Sequence, residues 1–409
     1  MNKVLTEKVH KTITRLRTIW PKLEGKYPFI AFSTGKDSLA MAALIYEAVE
    51  PEKPICLYAH HDLEFPSNLE YLTTLIQRGF VVRTAKPFLE YFELMEKGIS
   101  FLTLVEAWCI PLLIGTTFLE WLQQQGARSP REGVMFRGIS GSEYSHRFHG
   151  GLELNKALNL PCFNPMLEFT KEDILELIHT RYGLPLNPIY EHMDRTYCIC
   201  CYTSDAKRQE YCQKHYPEEY KKYYSQIEKL VFDSGLIEKV HQKRRFKTRE
   251  EKLFRHGFAH WHRLKAQKVT GAIKHRLSSG SILYQIRDND WIDAKHLTPV
   301  KGKWVRKGNE IRFWEVPERV TDTLIKRMIN CLDCGFCIRE CFPCRRFDRK
   351  TKRLRIEGCI QCGRCLTLTY CMGWRHRFWR RVIVEDTAHG QKAKQKEFAA
   401  VPAAAASGL

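Results

Sequence analysis

The sequence predicts an α/β fold. A parallel sheet with flanking helices comes first, then a basic helical and small β-rich region, then a cysteine-rich α+β domain. Three observations predict it. Short apolar strands alternate with helical stretches over the first 140 residues, the pattern of βαβ units and a parallel sheet. The charge divides: residues 241–409 hold 38 Lys+Arg against 16 Asp+Glu, a net of +22, while residues 1–240 hold 28 against 30. The cysteines divide too, with seven before residue 240 and nine within 331–371.

The elements follow in order. Residues 2–18 have the spacing of an amphipathic helix, and Pro28–Phe32 reads as a buried strand. A Gly-containing turn leads into a helix through Leu39–Ile45. Ile55–Ala59 reads as a second strand, 67–78 as a helix, and Phe80–Thr84 as a third strand. Gly133–Gly138 is expected as a fourth. Residues 170–182 are expected as a helix with Thr170 as N-cap and Asp173 completing a capping box. Residues 205–265 read as increasingly basic helix. Ile282–Ile286 and Ile311–Glu315 read as strands of a small β-rich insert within 280–316. The expected domains are 1–235, 236–325 and 326–385, with 386–409 a disordered tail.

The chain has 409 residues, 44% of them hydrophobic and 12% aromatic, which excludes wholesale disorder. No apolar run approaches the ~18–20 residues of a membrane span. Met1–Glu7 carries no apolar signal-peptide core, so a cytoplasmic, reducing location is expected. Sixteen cysteines in such a setting point to metal or redox chemistry rather than a disulfide scaffold.

Ser33-Thr34-Gly35-Lys36-Asp37-Ser38 lies between the first strand and its helix. Backbone N–H groups of such a turn, with the helix N-terminus, suit phosphate oxygens. Lys36 adds a point charge, the serines add hydroxyls, and Gly35 allows close approach. It is not a Walker loop, because the Gly-x4-Gly-Lys spacing is absent.

These residues resemble the Ser-Gly-Gly-Lys-Asp-Ser loop of the PP-loop ATP pyrophosphatases and the phosphoadenosine phosphosulfate (PAPS) reductase family, with Thr34 in place of the first Gly. Four further segments fit in register: Asp62-Leu63-Glu64-Phe65-Pro66, Ala107-Trp108-Cys109, Gly138 to Arg147, and Asn187-Pro188-Ile189-Tyr190 followed by Arg195 to Cys201. Ser140 and Tyr144 stand where the family has Arg and Ser. The resemblance spans about residues 28–220. It implies an adenine nucleotide alpha hydrolase-like sheet that binds ATP or a sulfonucleotide at Ser33, Thr34, Gly35, Lys36, Asp37, Ser38 and Glu64. It also implies catalytic roles for Lys36, Asp37, Glu143 and Arg147, with Mg2+ as the divalent ion. His60, His61 and His149 lie near these motifs and are read as structural.

Cys198-x-x-Cys201 is a ligand pair, two thiolates on one turn. The resemblance brings Cys109 beside it and implies a [4Fe–4S] cluster as in some relatives, including the DNA phosphorothioation sulfurtransferases. Cys212 or Cys200 supplies the fourth ligand. A structural zinc, or buried inert thiols, are the competing readings. Cys56 and Cys162 are expected in the core.

Cys331-x2-Cys334-x2-Cys337-x3-Cys341 has the spacing of a bacterial ferredoxin run, and Cys359-x2-Cys362-x2-Cys365 repeats its first three positions. By resemblance to two-cluster ferredoxins, Cys331, Cys334, Cys337 and Cys371 hold one [4Fe–4S] cluster. Cys359, Cys362, Cys365 and Cys341 hold the other, with Cys344 a spare able to replace Cys341. Zinc knuckles are the alternative.

Lys243, Arg244, Arg245, Lys247 and Arg249 form a dense basic run, with Trp261 and other aromatics interleaved downstream. Cations meet phosphates and rings stack on bases, so DNA or tRNA is the expected partner. The leading expectation is an ATP pyrophosphatase and sulfurtransferase that adenylates a substrate. It would be supplied by a sulfur donor such as a cysteine desulfurase and by an electron donor, without a membrane partner. A ferredoxin-coupled sulfonucleotide reductase and a non-enzymatic nucleic-acid-binding redox sensor are the alternatives.

Overall fold

The computed structural model describes residues 3–97, 99, 107–141, 151–196, 198, 199, 201, 206–233, 269–287, 294–300, 302–362, 365, 371 and 380–384. The chain divides into two units. One holds Met1–Phe92 and Thr103–Lys229, the other Glu93–Leu102 and Leu230–Leu409.

In the first unit, α1 (Lys3–Ile19) buries Leu5, Val9, Thr12, Ile13 and Leu16, one stripe at helical spacing, as the amphipathic pattern requires. Then follow β1 (Tyr27–Phe32), α2 (Lys36–Val49), β2 (Ile55–Ala59), α3 (Ser67–Gln77) and β3 (Val82–Ala85). After α4 (Tyr91–Glu96), which begins in this unit and whose residues from Glu93 on belong to the other, come α5 (Thr116–Gln124), β4 (Gly133–Arg137), β5 (Leu152–Asn155) and β6 (Leu160–Phe163). The strands form one mostly parallel sheet in the order β3-β2-β1-β4-β6-β5, with β5 alone antiparallel. This is the mixed α/β architecture that the alternation predicts. The central strands β1, β2 and β4 read as near-continuous apolar runs because helices cover both faces. α2 is buried from Leu39 to Tyr46, packed between the sheet and α1.

α6 (Lys171–Glu176) starts with the expected capping box: Thr170 Oγ1 accepts from Asp173 N, and Asp173 from Thr170 N. Its end, Leu177–Arg181, widens into a π turn. The third strand starts two residues later than the apolar run suggests. Gly79 adopts φ +88°, and Phe80 N donates to Leu75 O, so Phe80 finishes the helix cap instead. The helix expected from 205 to 265 is broken where Pro217 opens a new helix. α7 (Ala206–His215) and α8 (Pro217–Asp233) are the described part, and the remainder lies outside the described residues.

The second unit is built on a five-stranded sheet ordered β13-β7-β8-β10-β9: β7 (Val269–Arg276), β8 (Ile282–Ile286), β9 (Trp304–Lys307), β10 (Glu310–Phe313) and β13 (Arg380–Val384). The insert is thus larger than the two strands read from sequence. β10 ends before Glu315, which takes φ +52°. α9 (Glu318–Asn330) lays Thr321, Leu324, Ile325, Met328 and Ile329 on this sheet. The chain then enters the cysteine segment directly, since Cys331 caps α9. Within the described part of that segment stand a short 3-10 turn (Phe336–Arg339) and the hairpin β11 (Arg345–Asp348) and β12 (Arg353–Ile356). β13 then returns to pair in parallel with β7. Among the described residues, no helix is long and apolar enough to cross a membrane.

Candidate functional site

The strand order of the first unit reverses between β1 and β4. In open parallel sheets the crevice for a ligand opens at that point, at the carboxyl ends of the strands. Ser33–Ser38 leaves β1 there, and Gly138 leaves β4 beside it. A Cβ on Gly138 would fall 2.8 Å from Asp37 C and Ser38 N, so only glycine lets β4 approach the turn.

The turn itself is tightly specified. Ser38 Oγ donates to Gly35 O at 2.9 Å and accepts from Ser33 N at 3.3 Å. Gly35 caps α2 in extended backbone, and a Cβ there would press on Thr196 and Tyr190. Lys36 N donates to the Tyr190 hydroxyl at 2.9 Å, and Lys36 Nζ pairs with Asp37 Oδ2 at 2.6 Å. Asp37 Oδ1 is buried without a hydrogen-bond partner. Thr34 is fully buried at φ +60°, a conformation that a β-branched residue enters at a cost of about 1–2 kcal/mol.

Asn68 ties this turn to a second group. Its Oδ1 accepts from Thr34 Oγ1 at 3.2 Å and from Asn187 Nδ2 at 2.8 Å. Its Nδ2 donates to Glu64 Oε2 at 2.9 Å, which also accepts from Tyr58 at 2.8 Å. The other Glu64 oxygen meets His61 Nε2 at 2.9 Å, and Cys198 Sγ stands 3.7 Å from that nitrogen. Burial opposes both charges. The pair outweighs it: the Glu64 carboxyl is held below its ordinary value by His61, and His61 is held above its own by Glu64. Leu63 N donates to His61 Nδ1, so the proton sits on Nε2, facing Glu64. His61, Glu64 and Cys198 present ligand atoms within 4.8 Å of one another. With Nδ1 accepting from the backbone the ring is neutral and Nε2 is its donor, so the arrangement favours a hydrogen bond to Glu64 over a bound ion.

His61 is the residue that the sequence reading leaves out. Its importance comes from Cys198, 137 residues away, and its one local signal is its place just before Asp62-Leu63-Glu64.

Of the proposed ligands, Cys109 and Cys212 each lie within electrostatic reach of Cys201. Burial pushes the Cys109 thiol up to about 12 and Cys212 to about 11, with Cys201 adding to both. Cys109 follows Trp108, whose buried ring stacks on Tyr91 at 5.3 Å. Cys56 and Cys162 are core residues as expected. A small polar cleft is lined by Tyr190, Glu191, His192, Met193, Asp194, Lys207 and Arg208, and the Tyr190 hydroxyl accepts from Lys36 N.

In the second unit, Cys334 lies within electrostatic reach of Cys371, Cys337 and Cys331. Cys341 is within reach of Cys344 and Cys365, and Cys365 of Cys359. Cys362 is exposed. Gly335 takes φ +80°, and a Cβ there would strike the Phe347 ring at 2.2 Å, so glycine lets β11 close over the first cysteine turn. Asp333 N donates to Cys331 Sγ at 3.3 Å. Cys344 donates to Gly358 O. A single zinc with Zn–S bonds of ~2.3 Å holds its sulfurs about 3.8 Å apart. Among the described residues no three of these thiols converge within 4.8 Å. All described cysteines are free thiols.

Glu143, Arg147, Cys200, Lys243, Arg244, Arg245, Lys247, Arg249 and Trp261 lie outside the described residues.

No protein-family model matches the chain, and no curated protein matches it. Solved structures do. The PAPS reductase of Candida auris, as a phosphate complex, aligns at 11% identity over 47% of this chain and 92% of its own, with TM-score 0.33. The FMN adenylyltransferase of Candida glabrata aligns at 15% identity over 46% of this chain and 60% of its own, with TM-score 0.32. The U34-tRNA thiolase of Methanococcus maripaludis with its [4Fe-4S] cluster aligns at 14% identity over 60% of this chain and 82% of its own, with TM-score 0.33.

Proposed function

We propose that this chain is an ATP-dependent sulfurtransferase of the PP-loop kind that adenylates a nucleic acid, DNA or tRNA, and passes sulfur to it. The observation that carries the reading is the hydrogen-bonded path from Thr34 through Asn68 to Glu64, His61 and Cys198. A cysteine thiol is thereby linked, through three side chains, to the turn at the switch point of a parallel sheet, which supports a shared site.

The residues fit ATP and Mg2+. The N-terminus of α2 and the Lys36 ammonium favour a polyphosphate. Asp37 Oδ1, buried and without a partner, offers an oxygen to a divalent cation. In the reaction a substrate oxygen attacks the α-phosphorus, the bond to the β-phosphate oxygen breaks, and pyrophosphate leaves. Lys36 and the turn's N–H groups hold the phosphates in line and offset the growing charge. A cysteine persulfide, loaded by a desulfurase partner, then attacks the activated centre and AMP leaves. Two electrons from a partner reductant cleave the S–S bond, leaving sulfur on the substrate and a thiolate on the protein. His61 and Glu64 fix the surroundings of Cys198.

The cysteine sets fit iron–sulfur clusters by their all-thiol donors and their spacing. Bound clusters would supply one-electron chemistry. The nucleic-acid partner rests on the net +22 of residues 241–409.

Pyrophosphate release from ATP tests the reading. Release should rise with nucleic acid and vanish in Lys36→Ala. Uncleaved ATP with sulfite formed from a sulfonucleotide would replace it with the reductase reading.

A further inference from the structure

The cleft that Tyr190 and His192 line adjoins a group of stacked rings in the first unit. Tyr211, on α7, stacks on His215 with ring centroids 4.4 Å apart and on His192 at 5.0 Å. The two imidazoles are 6.4 Å apart, and the three rings lie within 19–28° of parallel. His192 and His215 are exposed, and Tyr211 is half-buried. Stacked rings that border water can be extended by a further planar ring.

Cations share that helix face. Lys207, Tyr211, Lys214 and His215 fall at i, i+4, i+7 and i+8, on one side of α7. Both lysines are exposed, and Glu210 borders the stripe. Lys207 also lines the cleft, as do Glu191 and Asp194, and Glu191 lies within electrostatic reach of Tyr211. Tyr190 joins the cleft to the nucleotide turn, since its hydroxyl accepts from Lys36 N at 2.9 Å. Rings, ammonium groups and carboxylate acceptors are thus gathered next to a residue that touches the turn.

We propose that His192, Tyr211 and His215 form a stacking platform for an unpaired base of an RNA strand and lead its nucleotide toward the turn at Ser33–Ser38. The inference rests on the reading that a nucleic acid is the substrate, and it names where the reacting nucleotide enters. Stacking of a base on a ring tolerates any base but requires one outside a duplex. RNA loops present such bases without the cost of opening a duplex. Lys207 and Lys214 meet the strand's phosphates. The Glu191 and Asp194 carboxylates repel phosphates and accept hydrogen bonds from hydroxyls, which a ribose carries at its 2′ position and a deoxyribose lacks.

The test uses the full chain purified without oxygen. Its probes are an oligouridine of about 12 nucleotides, the matching oligodeoxyuridine and a duplex RNA of the same length. Wild type that binds none of the three would sink the nucleic-acid reading and this inference with it. With binding present, the oligouridine should bind tighter than its DNA counterpart. The double variant His192→Ala/His215→Ala should weaken oligouridine binding by about fivefold or more and leave duplex affinity unchanged. Tyr211→Ala should do the same, and Tyr211→Phe, which keeps the ring, should match wild type. Full oligouridine affinity in the double variant, an equal fall for the duplex, or equal binding of the DNA by wild type overturns the proposal while the nucleic-acid reading stands. If Tyr211→Ala loses helical circular dichroism, the double variant, at exposed positions, decides. Oligouridine carrying 5-iodouridine, crosslinked by light, should label peptides that hold His192, Tyr211 or His215. Links confined to residues 241–409 overturn the proposal.

Discussion

At the scale of single residues, Thr34 shows what a motif match conceals. A threonine in the left-handed region is strained, and it is kept in a fully buried place by bonding toward Asn68. Asn68 is itself buried and satisfies Thr34, Asn187, Tyr58 and Glu64. Asn68→Ala should therefore leave several buried polar groups unsatisfied and cost about 3 kcal/mol. Urea unfolding of the variant measures it, and a loss under about 1 kcal/mol would contradict the hub role. Gly138 gives a sharper contrast. Gly138→Ala places a methyl against backbone atoms of Asp37 and Ser38, so ATP affinity should fall more than tenfold, measured by calorimetry. The loop was legible because its residues are contiguous. His61 and Asn68 were not, because the partners that bring them into the site, Cys198 and Asn187, lie more than a hundred residues away.

At the scale of elements, periodicity located α1, α2, α3, β1, β2 and β4, each a local pattern with a local cause. It failed where tertiary pairing decides. β5 and β6 form a short hairpin, and β13 is a basic, apolar-tipped strand whose partner β7 lies far upstream. The contact between α9 and β7 is electrostatic as well as apolar. Lys274 Nζ meets Glu318 and Asp322 at 2.5 and 3.0 Å, and Arg276 joins Glu318 at 2.8 Å. Arg276 first, then Lys274, hold the Glu318 carboxyl down at about 2. A carboxyl lowered on folding stabilises fully above its unfolded value of ~4.5 and loses that contribution as pH falls toward 2. Thermal melts of the full chain should thus be steady from pH 7 to 5 and fall below about 4.5. Glu318→Gln should flatten part of that fall, and an identical profile in the variant would remove the pair from the account.

At the scale of the whole molecule, the division of charge and of cysteine was read from counts alone, which need no fold. For the second unit the expected grouping of thiols came from spacing and the ferredoxin resemblance. For the first, Cys201 acts on the Cys109 thiol across chain turns that spacing alone does not relate. Three clusters would bring about twelve iron per chain, and anaerobic metal analysis checks it, zinc without iron being the contrary result. Nucleic-acid binding should weaken steeply between 50 and 200 mM salt. Affinity indifferent to salt would argue against the polyanion reading.

The parallel pairing of β13 with β7 has a consequence in time. A ribosome finishes β7 over a hundred residues before it makes β13. At about 5–20 residues per second this leaves roughly 5–20 s during which the sheet lacks that neighbour. The nascent second unit therefore passes through a stage with an unfilled strand edge, while the cysteines that precede β13 are already emerging and open to loading with metal. Ending synthesis before Arg380 should leave chains with that edge exposed and prone to associate, and light scattering of such a truncation against the full chain would show it.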